Sequence, residues 1–274
     1  MMILKNTTQQ KQEALEQWYK NREGSIVAFS GGIDSTLVLY LARKFQGRDK
    51  AIGVISNSES LKKRDFDLAK DFCRQFDIQL EVIKTKEIED ERYVQNPANR
   101  CFFCKEHLFV DIGAIAAKYP GFAVLSGANF DDLGDFRPGM DAARKYEVLS
   151  PMVECKVSKN ELREMARYFE LPNWDKPASP CLSSRIPYMH EVTAEKLRQV
   201  EAAEEILFNA GFSDVRVRHY GTLAKVEVHK EEMEKLFSIQ NEIITAIEAL
   251  GFEKCEIDPE GLVSGKMNRV LADK

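Results

Sequence analysis

Three groups of residues in this sequence have types and spacings that can do chemistry. The first is Ser30-Gly-Gly-Ile-Asp-Ser35. Gly31 and Gly32 remove side chains, so main-chain N–H groups can approach an anion. Ser30 and Ser35 add hydroxyl donors, and a helix beginning near Asp34 adds the positive end of its dipole. A Gly-Gly turn closed by a capping Ser or Asp is the plainer alternative. Two serines, an aspartate and a strand–helix junction together favour the anion site. No lysine of the Gly-x4-Gly-Lys-Ser/Thr type follows, so this is not the usual phosphate loop of nucleotide hydrolases.

The second group is sulfur. Cys101 and Cys104 lie one turn apart in "NRCFFCKEH" at what reads as the start of a helix, where the dipole favours thiolates. Cys181, in "SPCLSSR", comes from a proline-rich stretch. Three such thiolates could give three-point ligation with one open coordination position, and thiolates are the usual protein ligands of iron–sulfur clusters. Zinc held with His107, a redox pair and inert thiols are the alternatives. Cys73, Cys155 and Cys255 read as buried small hydrophobes.

The third group is cationic. Arg216 and Arg218 alternate on a strand and so share a face. They either grip an anion, for which the guanidinium fork suits phosphate, or form a salt-bridged solvated face. Arg185, four residues after Cys181, either steadies an anionic intermediate or pairs with a neighbouring acid. Arg137 is an active-site cation or a loop brace. Asp131, Asp132 and Asp135 are Mg2+ ligands or an acidic turn. None of the four histidines has a zinc-protease or nucleophile–base spacing. Trp18 and Trp174 read as core.

Elements must position these groups. Strands at Ser25 to Phe29, Ala51 to Ser56, Gln79 to Lys84 and Phe122 to Gly127 alternate with helical patterns, the last strand preceded by a helix from about Cys101 to Lys118. That alternation predicts an α/β fold with a doubly wound, mostly parallel sheet. Ser158 three residues before Glu161 is a capping box. Four of the nine prolines fall in "LPNWDKPASPCLSSRIP", which predicts a functional loop. Beyond it, helix (Thr193 to Ala210), two strands, helix (Lys230 to Leu250) and strand predict a smaller C-terminal α+β domain. The expected division is 1–190 and 191–274. A net charge of −5 argues against nucleic acid as partner. With no signal-peptide pattern and no run of roughly 20 apolar residues, a cytoplasmic location without a membrane partner is expected.

Ser30 to Ser35 resembles the SGGxDS loop of the PP-loop ATP pyrophosphatases, which split ATP into AMP and pyrophosphate. "SGANFDDLGDFRPG", "SPCLSSRIPY", "VRVRHY" and "GLVSGKMN", in this order and spacing, resemble the LarE family, ATP-dependent sulfur transferases of nickel-pincer cofactor biosynthesis for lactate racemase. The resemblance implies ATP with Mg2+ on Ser30, Gly31, Gly32, Asp34 and Ser35. It implies adenosine beside Ser56 and Gly127, with Arg137 at the nucleotide. It implies a pyridinium dicarboxylic acid mononucleotide whose phosphate meets Arg216, Arg218 and Lys266, and a homo-oligomer. Asp34, Cys181 and Arg185 become the catalytic candidates. In single-cysteine relatives the cysteine matching Cys181 gives up its own sulfur and is left as dehydroalanine. In three-cysteine relatives, Cys101, Cys104 and Cys181 would hold a [4Fe–4S] cluster carrying a sulfide. Rival readings are a tRNA 2-thiolation enzyme, a non-catalytic iron–sulfur or zinc carrier, and an ATP-using amidotransferase.

Overall fold

The computed structural model describes residues 4–134, 138–177, 179–263 and 265–272. In chain order these form α1 (Asn6–Lys20), β1 (Gly24–Ala28), α2 (Ile33–Gln46), β2 (Ala51–Ser56), α3 (Lys63–Gln75), β3 (Gln79–Ile83), α4 (Glu91–Val94), α5 (Arg100–Ala116), β4 (Phe122–Leu125), α6 (Pro138–Lys145), α7 (Pro151–Glu154), α8 (Lys159–Tyr168), α9 (Ala194–Asn209), β5 (Val215–Tyr220), β6 (Leu223–Val228), α10 (Met233–Ser238), α11 (Gln240–Glu248) and β7 (Lys254–Ile257). They divide into two compact units, 1–87 with 99–179 and 88–98 with 180–274. The division comes between Ser179 and Pro180, ahead of the boundary expected near residue 190. Residues 88–98 join the second unit because Asn96 Nδ2 donates to the Ile186 and Pro187 carbonyls and Val192 N–H to the Val94 carbonyl.

In the first unit the sheet runs β3-β2-β1-β4, all parallel, with Ile26 level with Ile52 and Val124. Side chains alternate between its faces. Val27 and Phe29 meet Leu37 and Leu41 of α2, Phe72 of α3 and Leu162 and Met165 of α8. Ile26, Ala28, Ile52 and Val54 meet Phe109, Ile112 and Ile115 of α5 and Ala142 of α6. Each such aliphatic or aromatic side chain contributes about 1.5–3 kcal/mol on full burial. The sheet is therefore covered on both faces, as expected of a doubly wound fold, and its winding reverses between β1 and β4. That reversal opens a crevice at their carboxyl ends.

Helix α1 was not legible in the polar run "NTTQQKQEALEQWYK". It is held by buried Leu15, Trp18 and Tyr19, with Tyr19 Oη donating to the Val38 carbonyl at 2.9 Å and Trp18 Nε1 to Glu154 at 2.6 Å. Trp18 is thus core. Trp174 is not: it is exposed and stacks under the Arg167 guanidinium, 4.9 Å from the ring centre, because its segment has no regular structure to bury it.

The second unit packs β5-β6-β7 against α9, α10 and α11, with β5 and β6 antiparallel and β6 and β7 parallel. The single helix expected from Lys230 to Leu250 is interrupted at Ile239, whose φ of −121° and ψ of 14° end α10 before α11 begins. No described helix is long and apolar enough to cross a membrane.

Candidate active site

At the carboxyl end of β1 the chain turns through Ser30 to Ser35 into α2. Gly31 has φ +70°, and a Cβ there would stand 3.0 Å from the Asp65 carbonyl and 3.2 Å from Ala69 Cβ, so only glycine fits without strain. The loop is laced by its own hydroxyls. Ser30 and Ser35 Oγ lie 3.1 Å apart, Ser35 Oγ donates to the Gly32 carbonyl at 3.1 Å, and Ser30 N–H donates to Ser35 Oγ. Gly32, the N-cap of α2, supplies no side-chain cap. The first-turn N–H groups of a helix have no intrahelical acceptor, so this end of α2 offers main-chain donors and the positive dipole end to an anion. From β4, Gly127 closes on the same turn: a Cβ there would lie 2.7 Å from Ser35 N. Ser56, at the end of β2, shares a 2.6 Å hydrogen bond with Thr85 Oγ1.

Asp34 does not stand alone. Both its oxygens lie 2.6 Å from Lys159 Nζ, the first residue of α8, whose capping box (Ser158 with Glu161) forms as expected. Lys159 therefore brings to this loop the cation that its own sequence lacks. Nothing in the spacing linked Lys159 to Asp34. Of the acids around residue 131, Asp132 accepts from Asn129 N–H and Nδ2, and Asp131 from Lys159 N–H. Asp135 and Arg137 lie outside the described residues.

In the second unit, Arg185 is fully buried and forks onto Glu204, Nε to Oε1 at 2.7 Å and Nη2 to Oε2 at 3.1 Å. Its Nη1 holds the Pro180 and Cys181 carbonyls and Ser184 Oγ. Of its two expected roles, the geometry matches pairing with an acid, and it braces the turn that presents the exposed Cys181. Arg218 binds Glu227 Oε2 through Nε and Nη2, at 3.0 and 2.8 Å, and the Ser184 carbonyl through Nη1. Arg216 pairs with Asp214 and the Val215 carbonyl. Burial, with Arg185 nearby, lowers its guanidinium below the usual arginine value. Lys266 reaches Asp258 at 2.9 Å and Glu227 at 3.2 Å. Burial opposes its charge, but these acids hold its ammonium above the ordinary lysine value. Arg185, Arg216, Arg218 and Lys266 thus belong to one unit with the Cys181 turn. The acids Glu204, which takes Arg185, and Glu227, which takes Arg218 and Lys266, went unnoticed in the sequence because a buried Glu looks like any other.

Cys101 is exposed and Cys104 half-buried, on the first turn of α5 in the first unit. Among the described residues, no three His, Cys, Asp or Glu side chains converge as a metal site. Burial pushes the Cys73 and Cys255 thiols up to about 12, consistent with inert core cysteines.

A sequence profile of the NAD synthase family matches residues 7–101, which include the phosphate loop. An uncharacterised protein of Synechocystis sp. is 38% identical over 95% of this chain and 98% of its own. The pyridinium-3,5-bisthiocarboxylic acid mononucleotide synthase of Lactiplantibacillus plantarum is 32% identical over 95% of both chains. An uncharacterised protein of Methanocaldococcus jannaschii is 30% identical over 95% of this chain and 98% of its own. Identity over nearly the full length of these relatives, together with a parallel sheet whose first strand feeds a Ser-Gly-Gly-x-Asp-Ser turn, establishes that the chain belongs to the LarE family of PP-loop ATP pyrophosphatases.

Proposed function

We propose that the protein is a cytoplasmic, homo-oligomeric sulfur transferase. It would use ATP to adenylate a carboxylate of pyridinium-3,5-dicarboxylic acid mononucleotide and replace AMP by sulfur to give a thiocarboxylate. The observation that carries the reading is the uncapped, double-glycine start of α2 with Asp34 and Lys159 beside it, in a chain related over 95% of its length to a synthase of the bisthiocarboxylic product.

A substrate carboxylate oxygen attacks the α-phosphorus of ATP. An O–P bond forms, the bond to pyrophosphate breaks, and pyrophosphate leaves with the electron pair. The loop N–H groups, Ser30 and Ser35 hydroxyls and Lys159 stabilise the charge that develops on it. Mg2+, when bound, supplies further neutralisation, and Asp34 is the carboxylate at the loop that fits it. A sulfur nucleophile then adds to the acyl carbon, and AMP leaves. Arg216, Arg218 and Lys266 orient the substrate phosphate, and Arg185 fixes the Cys181 turn. The adjacent thiols on the first turn of α5 suit an iron–sulfur cluster, which Cys101, Cys104 and Cys181 would hold and which would supply an open iron position for sulfide. Without it, the Cys181 thiolate is the nucleophile: it displaces AMP to form a thioester, and loss of the Cys181 α-proton to a base then breaks the Cβ–S bond, which releases the thiocarboxylate and leaves dehydroalanine.

The test measures pyrophosphate release with ATP and the mononucleotide, beside iron and acid-labile sulfide on protein purified without oxygen, for wild type and the Ala variants of Cys101, Cys104 and Cys181. Substrate-dependent pyrophosphate with iron lost in every variant supports the cluster-bearing enzyme. Turnover by an iron-free protein whose Cys181 peptide loses the mass of one hydrogen sulfide assigns the sulfur to that side chain. No pyrophosphate release from the wild type ends the reading.

A further inference from the structure

Residues 172–177 form a turn and coil with no helix or strand, and Ser179 leads, through Pro180, to Cys181. Besides its own turn bonds, side-chain bonds fasten this segment to the phosphate loop and to the first turn of α3. Asn173 Nδ2 donates to the Gly31 carbonyl at 3.1 Å and to Thr36 Oγ1, in the first turn of α2, at 2.9 Å. Its Oδ1 is buried and has no hydrogen-bond partner among the described residues. Asp65, in the first turn of α3, takes Lys176 Nζ on one carboxylate oxygen and Ser179 Oγ on the other, both at 2.7 Å. Burial alone would raise the Asp65 carboxyl. The Lys176 and Ser179 hydrogen bonds and the charges of Lys176 and Lys62 outweigh it and hold the group below the ordinary aspartate value, so it is a committed anion. The main chain of Asp65 is also the wall 3.0 Å from where a Gly31 side chain would begin. Asn173 therefore bonds the Gly31 carbonyl, while the Asp65 carbonyl stands where a side chain at Gly31 would have to go. Both residues also fasten the segment before Cys181.

We propose that Asn173 and Asp65 are positioning residues that register this segment on the phosphate loop, so that the Cys181 turn responds to what the loop holds and sulfur, rather than water, takes the acyl group from AMP. The inference rests on the adenylating reading above. The two fates of the acyl-adenylate differ only in the nucleophile. Sulfur forms a C–S bond and water a C–O bond, and in either case the C–O bond to AMP breaks and AMP leaves with the electron pair. A loop that fills with nucleotide shifts the Gly31 peptide. Two short polar contacts then carry the shift to the segment, because a hydrogen bond stretched by even half an ångström is largely lost. No other described side-chain bond ties this segment to the loop: Arg163 holds only the Trp174 and Lys176 carbonyls, both within the segment, at 3.3 Å.

The experiment uses the full chain with ATP, the mononucleotide and sulfide, comparing wild type with Asn173→Ala and Asp65→Asn. Thiocarboxylate formed per pyrophosphate released should fall about tenfold or more in both variants, whatever their absolute rates, because misplacement leaves the acyl-adenylate to water. A purely structural role would lower both products together and leave the ratio unchanged, and that result would overturn the proposal. A second readout keeps the test alive if turnover is poor. Peptide-resolved alkylation of Cys181 is followed with and without a non-hydrolysable ATP analogue and Mg2+. The wild type should show a rate that depends on the nucleotide. Variants that still bind the analogue should lose that dependence, and retained dependence would also overturn the coupling. Failure of the adenylating reading looks different, since the wild type itself then releases no pyrophosphate.

Discussion

The phosphate loop and the arginine cluster both concentrate hydrogen-bond donors, and they are built in opposite ways. In the first unit the donors are main-chain N–H groups at the start of α2, and the local ion pair, Asp34 with Lys159, is partly open to solvent. In the second unit the donors are side chains, and each cation is already matched: Arg185 to Glu204, Arg216 to Asp214, Arg218 to Glu227, Lys266 to Asp258. A helix end has no acid to give up when phosphate arrives. An arginine already forked onto a buried carboxylate binds a second anion only by sharing its remaining donors. The backbone site is thus set for binding and release of a highly charged nucleotide. The arginine cluster is set first for geometry, holding the Cys181 turn and β5 in fixed relation within the same unit.

That contrast should break most visibly at Arg185. Arg185→Met leaves Glu204, itself almost fully buried, as an uncompensated charge, and losing one partner of such a pair costs about 3–5 kcal/mol. Chemical denaturation read by hydrogen exchange in α9 and β5 should report the loss. The double variant Arg185→Met with Glu204→Leu should recover most of the stability, but not sulfur transfer. A single-variant loss under about 1 kcal/mol would mean that the pair is solvated and the contrast false.

Gly31→Ala probes the other construction. The added methyl meets the Asp65 carbonyl and Ala69 at a φ of +70°, so the loop must move. Pyrophosphate release should fall about 100-fold, near 2.7 kcal/mol of barrier, while exchange protection in β5 to β7 stays as in the wild type. Unaltered pyrophosphate release would show that the loop amides are not the phosphate donors. Arg218→Lys is gentler. Lysine cannot hold Glu227 and the Ser184 carbonyl together, and it lacks the fork, so KM for the mononucleotide should rise about tenfold with a smaller change in KM for ATP. Equal changes in the two values would separate Arg218 from the substrate phosphate.

The backbone site was largely legible in the sequence and the side-chain site largely was not, for a physical reason. A site made of glycines, serines and a strand–helix junction is local, so six consecutive residues declare it. Arg216 and Arg218 were visible as a pair because strand alternation is local too. Their acids were not, because Glu204 and Glu227 come from α9 and β6, and only folding brings a carboxylate onto a guanidinium. Lys159 and Asn173 failed to show for the same reason, reaching the phosphate loop from more than 100 residues away in sequence. The four strands of the first sheet could be read from short β-rich runs alternating with helical patterns, although only β1 and β2 are buried along nearly their whole length. Helix α1 could not, because its four buried side chains in fifteen positions include the polar Thr8 and leave too faint an apolar stripe.

The smallest expected effect concerns the far side of the arginine strand. His219, next to Arg218 on β5, is buried with its ring against Phe252, Nε2 on Gln199 Oε1 at 3.0 Å, and Nδ1 without a hydrogen-bond partner among the described residues. Burial, helped by the charge of Lys196, lowers its pKa from 6.5 to about 4. The folded protein therefore keeps this imidazole neutral where the unfolded chain takes up a proton. Between the two values the unfolded state binds more protons, so stability should fall as pH drops from about 6.5 toward 4 and level off below. At about pH 5.5 the loss should be roughly 1 kcal/mol, and His219→Gln, which cannot titrate, should flatten that part of the curve. The phosphate loop contains no titrating imidazole, so nucleotide affinity should not follow the same curve. A loss of ATP binding in step with unfolding of β5 would show instead that the two constructions fail as one.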